Sequence, residues 1–237
     1  MFRIARDPMN EALRLFERAI ERDPNYGAAL AMASICHLRL AEDFREDFKQ
    51  NQDRAIRRAQ RALEVAPDDP VSLANAPFTL AWCGEDIEAM LALIDRALRL
   101  NPSYARGWYV SATVRVWAGE PETTIEHIKR SARLSPRDRM GPHDYLSGLA
   151  SLLCGRLDEA RAKLLLAMRE NPGYPRPYTM LAICFAHMGR LDEARAMILR
   201  VRELAPATTV PNVTMFRLRE HREFLLSGLR LAMGEAG

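Results

Sequence analysis

Apolar residues recur every three or four positions along most of the chain, and each such run ends at a proline. The stretch EALRLFERAI at 11–20 shows this spacing, which is typical of one face of an α-helix. Because proline cannot continue a helix, a proline that follows such a run marks a helix end. Six of the 14 prolines do so, at intervals of 43, 35, 34, 36 and 34 residues: Pro24, Pro67, Pro102, Pro136, Pro172 and Pro206.

A second break lies near the middle of each unit between prolines. Glycine provides it, since glycine tolerates the left-handed backbone that ends a helix. Acidic residues follow and complement the positive end of the next helix. The octapeptide GRLDEARA has this glycine followed by acidic residues, and it occurs twice, at 155–162 and 189–196. Its first alanine, Ala160 or Ala194, is the small residue that lets two helices approach closely. Each unit is therefore predicted to be helix, tight turn, helix.

These boundaries predict an all-α fold in one domain over residues 1–237. A lone helix is expected at about 9–22 and an amphipathic helix at about 217–233. Between them lie five helical pairs, at about 26–66, 70–101, 104–135, 141–171 and 174–205. Three junctions share Pro-x-Tyr, and we expect the tyrosine ring to wedge between neighbouring repeats, at Tyr26, Tyr104 and Tyr174.

The pattern resembles the tetratricopeptide repeat. In unit 175–208 the matching positions are Tyr178, Leu181, Ala182, Phe185, Gly189, Ala194, Ile198 and Pro206. Unit 105–138 matches at Trp108, Ala112, Gly119, Ile128 and Pro136, and departs at Thr124 and Ser131, where alanine is usual. The resemblance implies a right-handed α-solenoid of tandem helix-turn-helix units with a C-terminal capping helix, and it implies a function in binding protein.

Two features break the regular period. The first pair carries about nine extra residues around 41–52, where Phe44 and Phe48 are four apart and are predicted to share a helix face. A prolonged helix with a loop and a finger that contacts a partner remain alternatives there. At the N-terminus, the helix near Leu13, Phe16 and Ile20 has the pattern of a second helix whose first helix is missing. Its apolar flank needs cover, which a homodimer contact would provide, and the chain is expected to be a fragment or shortened relative of a longer protein.

In the tetratricopeptide family, the first helix of each pair lines a concave groove. Carrying those positions over gives three rows of groove residues in this chain. The predicted groove consists of Ile35, Arg39, Phe78, Trp82, Arg106, Tyr109, Thr113, Trp117, Tyr145, Leu149, Arg176, Thr179 and Ile183, with Ala31, Ala74, Leu153 and His187 in the same rows. Arg106 and Arg176 are expected near its mouth.

The composition of this groove predicts its ligand. It is mostly apolar, and Asn75 is the only nearby amide, so a clamp for a C-terminal carboxylate is disfavoured. An apolar and aromatic groove suits a hydrophobic peptide or an amphipathic helix. The alternative is that the groove fills itself, or that the C-terminal helix folds into it. We favour partner binding on the residue pattern.

The sequence offers little for catalysis. It contains no phosphate loop, HExxH or GxSxG, and its five histidines and four cysteines show no ligand spacing, so no metal, no cofactor and no catalytic residue is predicted. The net charge is only +3, and the basic residues do not form one stripe with stacking aromatics, which disfavours nucleic acid. No stretch approaches a membrane span, so a soluble, cytoplasmic protein is expected.

A narrower likeness concerns the long first repeat, the run NPSYARGW at 101–108 and the ending FLLSGLR at 224–230. These resemble the tetratricopeptide region behind class III adenylate cyclases of certain bacteria. The sequence therefore predicts a non-catalytic scaffold that binds a peptide or amphipathic helix. The alternative is a regulatory or dimerisation module related to a cyclase-linked signalling protein. An enzyme ranks last.

Overall fold

The computed structural model describes residues 6–44, 47–136, 143–205 and 213–234, and these residues contain helices and no strand. The predicted all-α class is confirmed. The helices are α1 (Arg6–Arg22), α2 (Gly27–Phe44), α3 (Phe48–Val65), α4 (Pro70–Trp82), α5 (Ile87–Leu100), α6 (Ala105–Ala118), α7 (Pro121–Leu134), α8 (His143–Leu153), α9 (Leu157–Glu170), α10 (Pro175–His187), α11 (Leu191–Leu204) and α12 (Arg219–Met233). None of these helices combines the length and the apolar character that crossing a bilayer requires.

The duplicated octapeptide folds in the same way in both copies. Gly155 and Gly189 adopt φ values of 73° and 75°, a left-handed conformation that a side chain would strain, and each ends the first helix of its pair. Ala160 and Ala194, one turn into the second helices, have no exposed surface. The small side chain at these positions therefore allows the close helix contact that the pattern predicts.

The described residues fall into two compact units, at 6–114 and 115–234. In the first unit, α1 packs on α2, α2 packs on α3 and α4, and α4 packs on α5. Leu30 and Leu80 are buried there around a layer of alanines at Ala33, Ala59 and Ala62. Burying such leucines contributes about 1.5–3 kcal/mol each, and the alanines bring the helix backbones close enough to do so.

The predicted shared face of Phe44 and Phe48 is wrong. Helix α2 ends at Phe44 and α3 begins at Phe48, and Asp47 between them has a φ of 37°, outside the right-handed helical range. The extra residues of the first pair lengthen both of its helices to 18 residues, against 13 or 14 in α4 and α5. Residues 45–46 of the insertion lie outside the described residues.

Two of the three junction tyrosines are packed as predicted. Tyr104 packs against the cluster formed by Leu73, Ala74 and Ala97, and Tyr174 is 8% exposed. Tyr26 is 50% exposed, so at this junction the wedge prediction is wrong.

The two departures from the repeat pattern are buried, and their hydroxyl groups are satisfied. Thr124 Oγ1 donates to the carbonyl of Glu120 at 2.9 Å, and Ser131 Oγ lies 3.0 Å from His143 Nε2. Each hydroxyl thus has a partner that offsets the cost of its burial.

Candidate protein-binding groove

In the first unit, the predicted groove residues are carried by α2, α4 and the start of α6. The aliphatic and phenyl members, Ile35 and Phe78, are buried. The guanidinium of Arg39 lies 5.8 Å from the centroid of the Phe78 ring, within range of a cation–π contact. Trp82 and Tyr109 are half-buried and keep part of their aromatic surface accessible. This part of the groove thus offers aromatic surface with a cation beside it.

A buried polar network fixes Arg106 at the start of α6. Its Nε donates to Asn75 Oδ1 at 2.8 Å, and Asn75 has no exposed surface. The amide of Asn75 donates in turn to Tyr104 Oη at 2.9 Å and to the Val71 carbonyl at 2.8 Å. Burial raises the pKa of the Tyr104 hydroxyl, which keeps it protonated at neutral pH. A held guanidinium of this kind can pair with a carboxylate at little entropic cost.

The sequence analysis identified Asn75 only as a nearby amide and missed its role as the support of Arg106. The Pro-x-Tyr motif could have pointed to Tyr104 as its partner. A lone asparagine within an apolar first helix was the other available indication, because a buried amide requires partners.

The second unit carries the remaining predicted groove residues. Tyr145 on α8 meets Tyr174 edge to face, with ring centroids 6.0 Å apart, and Leu149 one turn later is buried. Arg176 is half-buried at the start of α10. Thr113 at the end of the first unit, together with Trp117, Thr179 and Ile183 in the second, is also buried.

The chain's own C-terminal segment covers part of the predicted groove in the second unit. The imidazole of His187 stacks on Phe224 of α12, with centroids 4.0 Å apart and planes 8° apart, and its Nε2 donates to the Phe224 carbonyl at 3.0 Å. A Cβ built on Gly228 would lie 2.7 Å from Ile183 Cγ2. Helix α12 therefore occupies the face of α10 that carries Ile183 and His187, where the sequence left partner binding and self-filling open.

The residues that lead into α12 reach the end of α6. The Arg217 amide donates to the Trp117 carbonyl at 2.7 Å, and a Cβ on Gly119 would collide with the Leu218 side chain. Met215 and Phe216 are buried beside them. Sequence analysis gave folding of the C-terminal helix into the groove as one alternative, but it did not predict these contacts of the preceding segment. A glycine inside the amphipathic α12 was an indication that the helix docks, because glycine costs about 1 kcal/mol relative to alanine within a helix and is retained where helices approach closely.

Nucleophiles and metal ligands do not converge in the described residues. Burial raises the pKa of each cysteine thiol to about 11, so Cys36, Cys83, Cys154 and Cys184 are protonated and weakly nucleophilic at neutral pH. Within the same ranges, no group of three histidine, cysteine or acidic side chains could hold a metal ion.

Comparison with known proteins assigns these helical pairs to a class. The tetratricopeptide repeat family model matches residues 152–212, about a quarter of the chain. This match identifies a tetratricopeptide repeat in α9, α10 and α11 and the residues beside them. No curated protein matches the sequence.

Solved structures share the fold. A thermophilic tetratricopeptide-repeat protein of Thermus thermophilus is 26% identical, covers 83% of this chain and 99% of its own, and gives a TM-score of 0.59. A MamA fragment from Desulfovibrio magneticus is 17% identical over 75% of this chain and 97% of its own, with a TM-score of 0.53. A chain of the APC/C hetero-tetramer Cut9–Hcn1 is 14% identical over 94% of this chain and 40% of its own, with a TM-score of 0.66.

Proposed function

We propose that the protein is a non-catalytic scaffold that binds an amphipathic helix or a hydrophobic peptide in the groove of its first unit. The observation that carries the proposal is the set of partly accessible aromatic side chains on successive first helices, Trp82 and Tyr109, beside a fixed guanidinium at Arg106. The apolar side of the ligand would contact the aromatic rings. An acidic residue at its edge would pair with Arg106.

Coverage by α12 narrows this proposal from the whole predicted groove to its first half. Ile183 and His187 in the second unit already contact α12, so a ligand there would have to displace it. In the first unit, the Arg39 guanidinium over the Phe78 ring adds a cation to the aromatic surface that the ligand would meet. The Cut9–Hcn1 assembly shows that a chain of this fold occurs in a protein complex, which supports the scaffold role.

Removing both accessible aromatic side chains tests the groove. The double variant Trp82→Ala with Tyr109→Ala is expected to lose at least about 1.4 kcal/mol of binding free energy, which is about tenfold in affinity. The ligands are peptides selected on the wild-type protein from a random library. Fluorescence anisotropy measures the loss. Tyr26→Ala, at a tyrosine that is 50% exposed outside the groove, is the matched control and should bind normally. Equal affinity of the double variant and the wild type would refute the groove as the binding surface.

The alternative function, a dimerisation module related to cyclase-linked signalling proteins, is supported by one observation on α1. Leu15 is 54% exposed, whereas Phe16 packs against the core of the first unit. An exposed leucine on a helix with further half-buried apolar residues provides a surface that a second copy could cover.

Leu15→Glu is therefore a cleaner test of this dimer than a change at Phe16, because it does not enter the core. If the dimer forms, light scattering of the wild type should show a mass that rises with concentration, and Leu15→Glu should abolish the rise. The exposed Leu199→Glu, at a leucine that is 59% exposed on α11, serves as the control. A wild-type mass that stays at one chain through the dilution series would exclude the dimer.

A further inference from the structure

A cleft of about 900 Å³ lies between α1 and α3, with α2 as its floor. Six arginines from α1 and α3 line it: Arg14, Arg18, Arg54, Arg57, Arg58 and Arg61. Glu17 and Glu21 are the acidic members of its lining, which leaves a formal charge of +4 on the lining when His37 is neutral. The whole chain has a net charge of only +3, so a charge of +4 on one lining makes the cleft a strongly positive surface of the first unit.

Ion pairs within and beside the cleft offset only part of this charge, and one of them joins Arg14 to the exposed Glu11 at 2.7 Å. Glu17 forms an ion pair with Arg58. The Nη2 of Arg58 donates to Glu17 Oε2 at 2.6 Å, and its Nε donates to Glu17 Oε1 at 3.3 Å. Arg61 donates to Asn25 Oδ1 at 2.9 Å and pairs with the exposed Glu64 at 3.1 Å. Exposed pairs of this kind contribute about 0–1 kcal/mol, so an incoming carboxylate can compete for the arginine.

The floor of the cleft is neutral and ordered by hydrogen bonds. His37 is 3% exposed, and its Nδ1 donates to Asn51 Oδ1 at 2.8 Å. Burial lowers the pKa of His37, against the raising effects of the Asn51 hydrogen bond and the Glu17 carboxylate. The positive charge of the cleft therefore comes from the arginine walls alone.

The cleft is separate from the proposed peptide groove. Ile35 and Arg39 on α2 each lie two residues from His37, which places each of them about 160° around the helix axis from His37, since each residue advances about 100°. The two surfaces are on opposite faces of α2. A ligand in the arginine cleft would thus leave the aromatic side chains of the groove uncovered.

The spacing of the arginines indicates the shape of a ligand. Arg54, Arg57, Arg58 and Arg61 follow the i, i+3, i+4, i+7 pattern and form a stripe of about 10 Å along α3. Arg14 and Arg18 are one turn apart on the opposite wall. Charges distributed in this way suit an extended anion with several groups, because a single phosphate would reach only part of them.

The rest of the lining distinguishes between polyanions. Among the described residues that line the cleft, the one apolar side chain is Leu13, and none is a phenylalanine, tyrosine or tryptophan. Single-stranded nucleic acids gain about 1–3 kcal/mol per base by stacking on such rings, and this cleft offers none. Arginine pairs well with carboxylates through its two-pronged guanidinium. We propose that the arginine cleft binds an acidic segment of a partner protein, whose carboxylates lie along both walls.

Fluorescence anisotropy of the full chain with a labelled oligoglutamate peptide tests this proposal. The wild type should bind the peptide, with an affinity that falls as salt is added. Arg54→Glu with Arg57→Glu should weaken binding by about tenfold or more. Both positions are exposed, and circular dichroism verifies that the variant folds. The control is Arg133→Glu with Arg202→Glu, which makes the same charge change at exposed positions of α7 and α11 and should leave the affinity within about twofold.

Two results would overturn the proposal. Equal losses in the cleft variant and the control would show attraction by net charge alone. Tighter binding of a single-stranded oligothymidylate of equal charge would assign the cleft to nucleic acid instead. The variant Trp82→Ala with Tyr109→Ala should keep full affinity for oligoglutamate, so failure of the peptide groove and failure of the arginine cleft are observed independently.

Discussion

Replacing Gly228 with leucine is expected to lower the melting temperature by about 5–10 °C, which corresponds to a loss of about 3 kcal/mol. A Cβ at this position would lie 2.6 Å from His187 Nε2 and 2.7 Å from Ile183 Cγ2, so α12 has to move away from α10. The move loosens Leu225 and Leu229, whose burial contributes about 1.5–3 kcal/mol each. Leucine raises the helix propensity of α12 by about 1 kcal/mol, which is too little to compensate.

Gly173→Leu is the matched control, because a Cβ at Gly173 meets no atom within 4 Å. Thermal melting followed by circular dichroism should show a change of less than about 2 °C for this variant. The Gly228→Leu protein should also bind more of a hydrophobic dye, since the face of α10 becomes accessible. An unchanged melting temperature for Gly228→Leu would mean that α12 does not dock on α10 in solution.

Ala194→Leu is expected to destabilise the protein by about 1–3 kcal/mol, because the added atoms enter a buried contact between α10 and α11. Ala194 has no exposed surface, and its helix begins directly after the turn at Gly189. Alanine and leucine have similar helix propensities, so the change reports packing and not the tendency to form a helix.

The octapeptide contains its own control, because its second alanine is exposed. Ala196→Leu should melt within about 2 °C of the wild type, while Ala194→Leu should melt several degrees lower. The first copy of the octapeptide repeats the comparison with Ala160→Leu and Ala162→Leu, at a buried and an exposed position respectively. If the exposed and the buried substitutions had equal effects in both copies, the proposed repeat register would be incorrect.

Local chemistry explains why the helices could be predicted from the sequence. Proline and glycine act on the backbone of their own turn, so positions such as Gly155 and Gly189 fix a helix end whatever surrounds them. The alanines inside the pairs could be predicted for the same reason, since their spacing from the turn determines which face they occupy. Ala160 and Ala194 are accordingly buried where the pattern required small residues.

The candidate site was harder to predict from the sequence, because distant parts of the chain determine which groove residues are covered. Periodicity placed Ile183 and His187 on the face of a first helix, but it carried no information about Phe224, which lies 37 residues after His187 and stacks on it. The arginine cleft was missed for a similar reason. Its two walls are α1 and α3, and the sequence shows Arg14 and Arg54 only as members of separate amphipathic runs.

The contacts of the C-terminal segment also bear on how the molecule unfolds. In an ordinary repeat array each unit touches only its neighbours, and stability is a sum of local terms. Here Arg217 bonds to the Trp117 carbonyl while Gly228 packs against Ile183, so one segment ties α6 to α10, two helical pairs apart. Residues that are far apart in the sequence are thereby held together in the second unit. It should lose its structure in one cooperative step and refold more slowly than an open array of the same length.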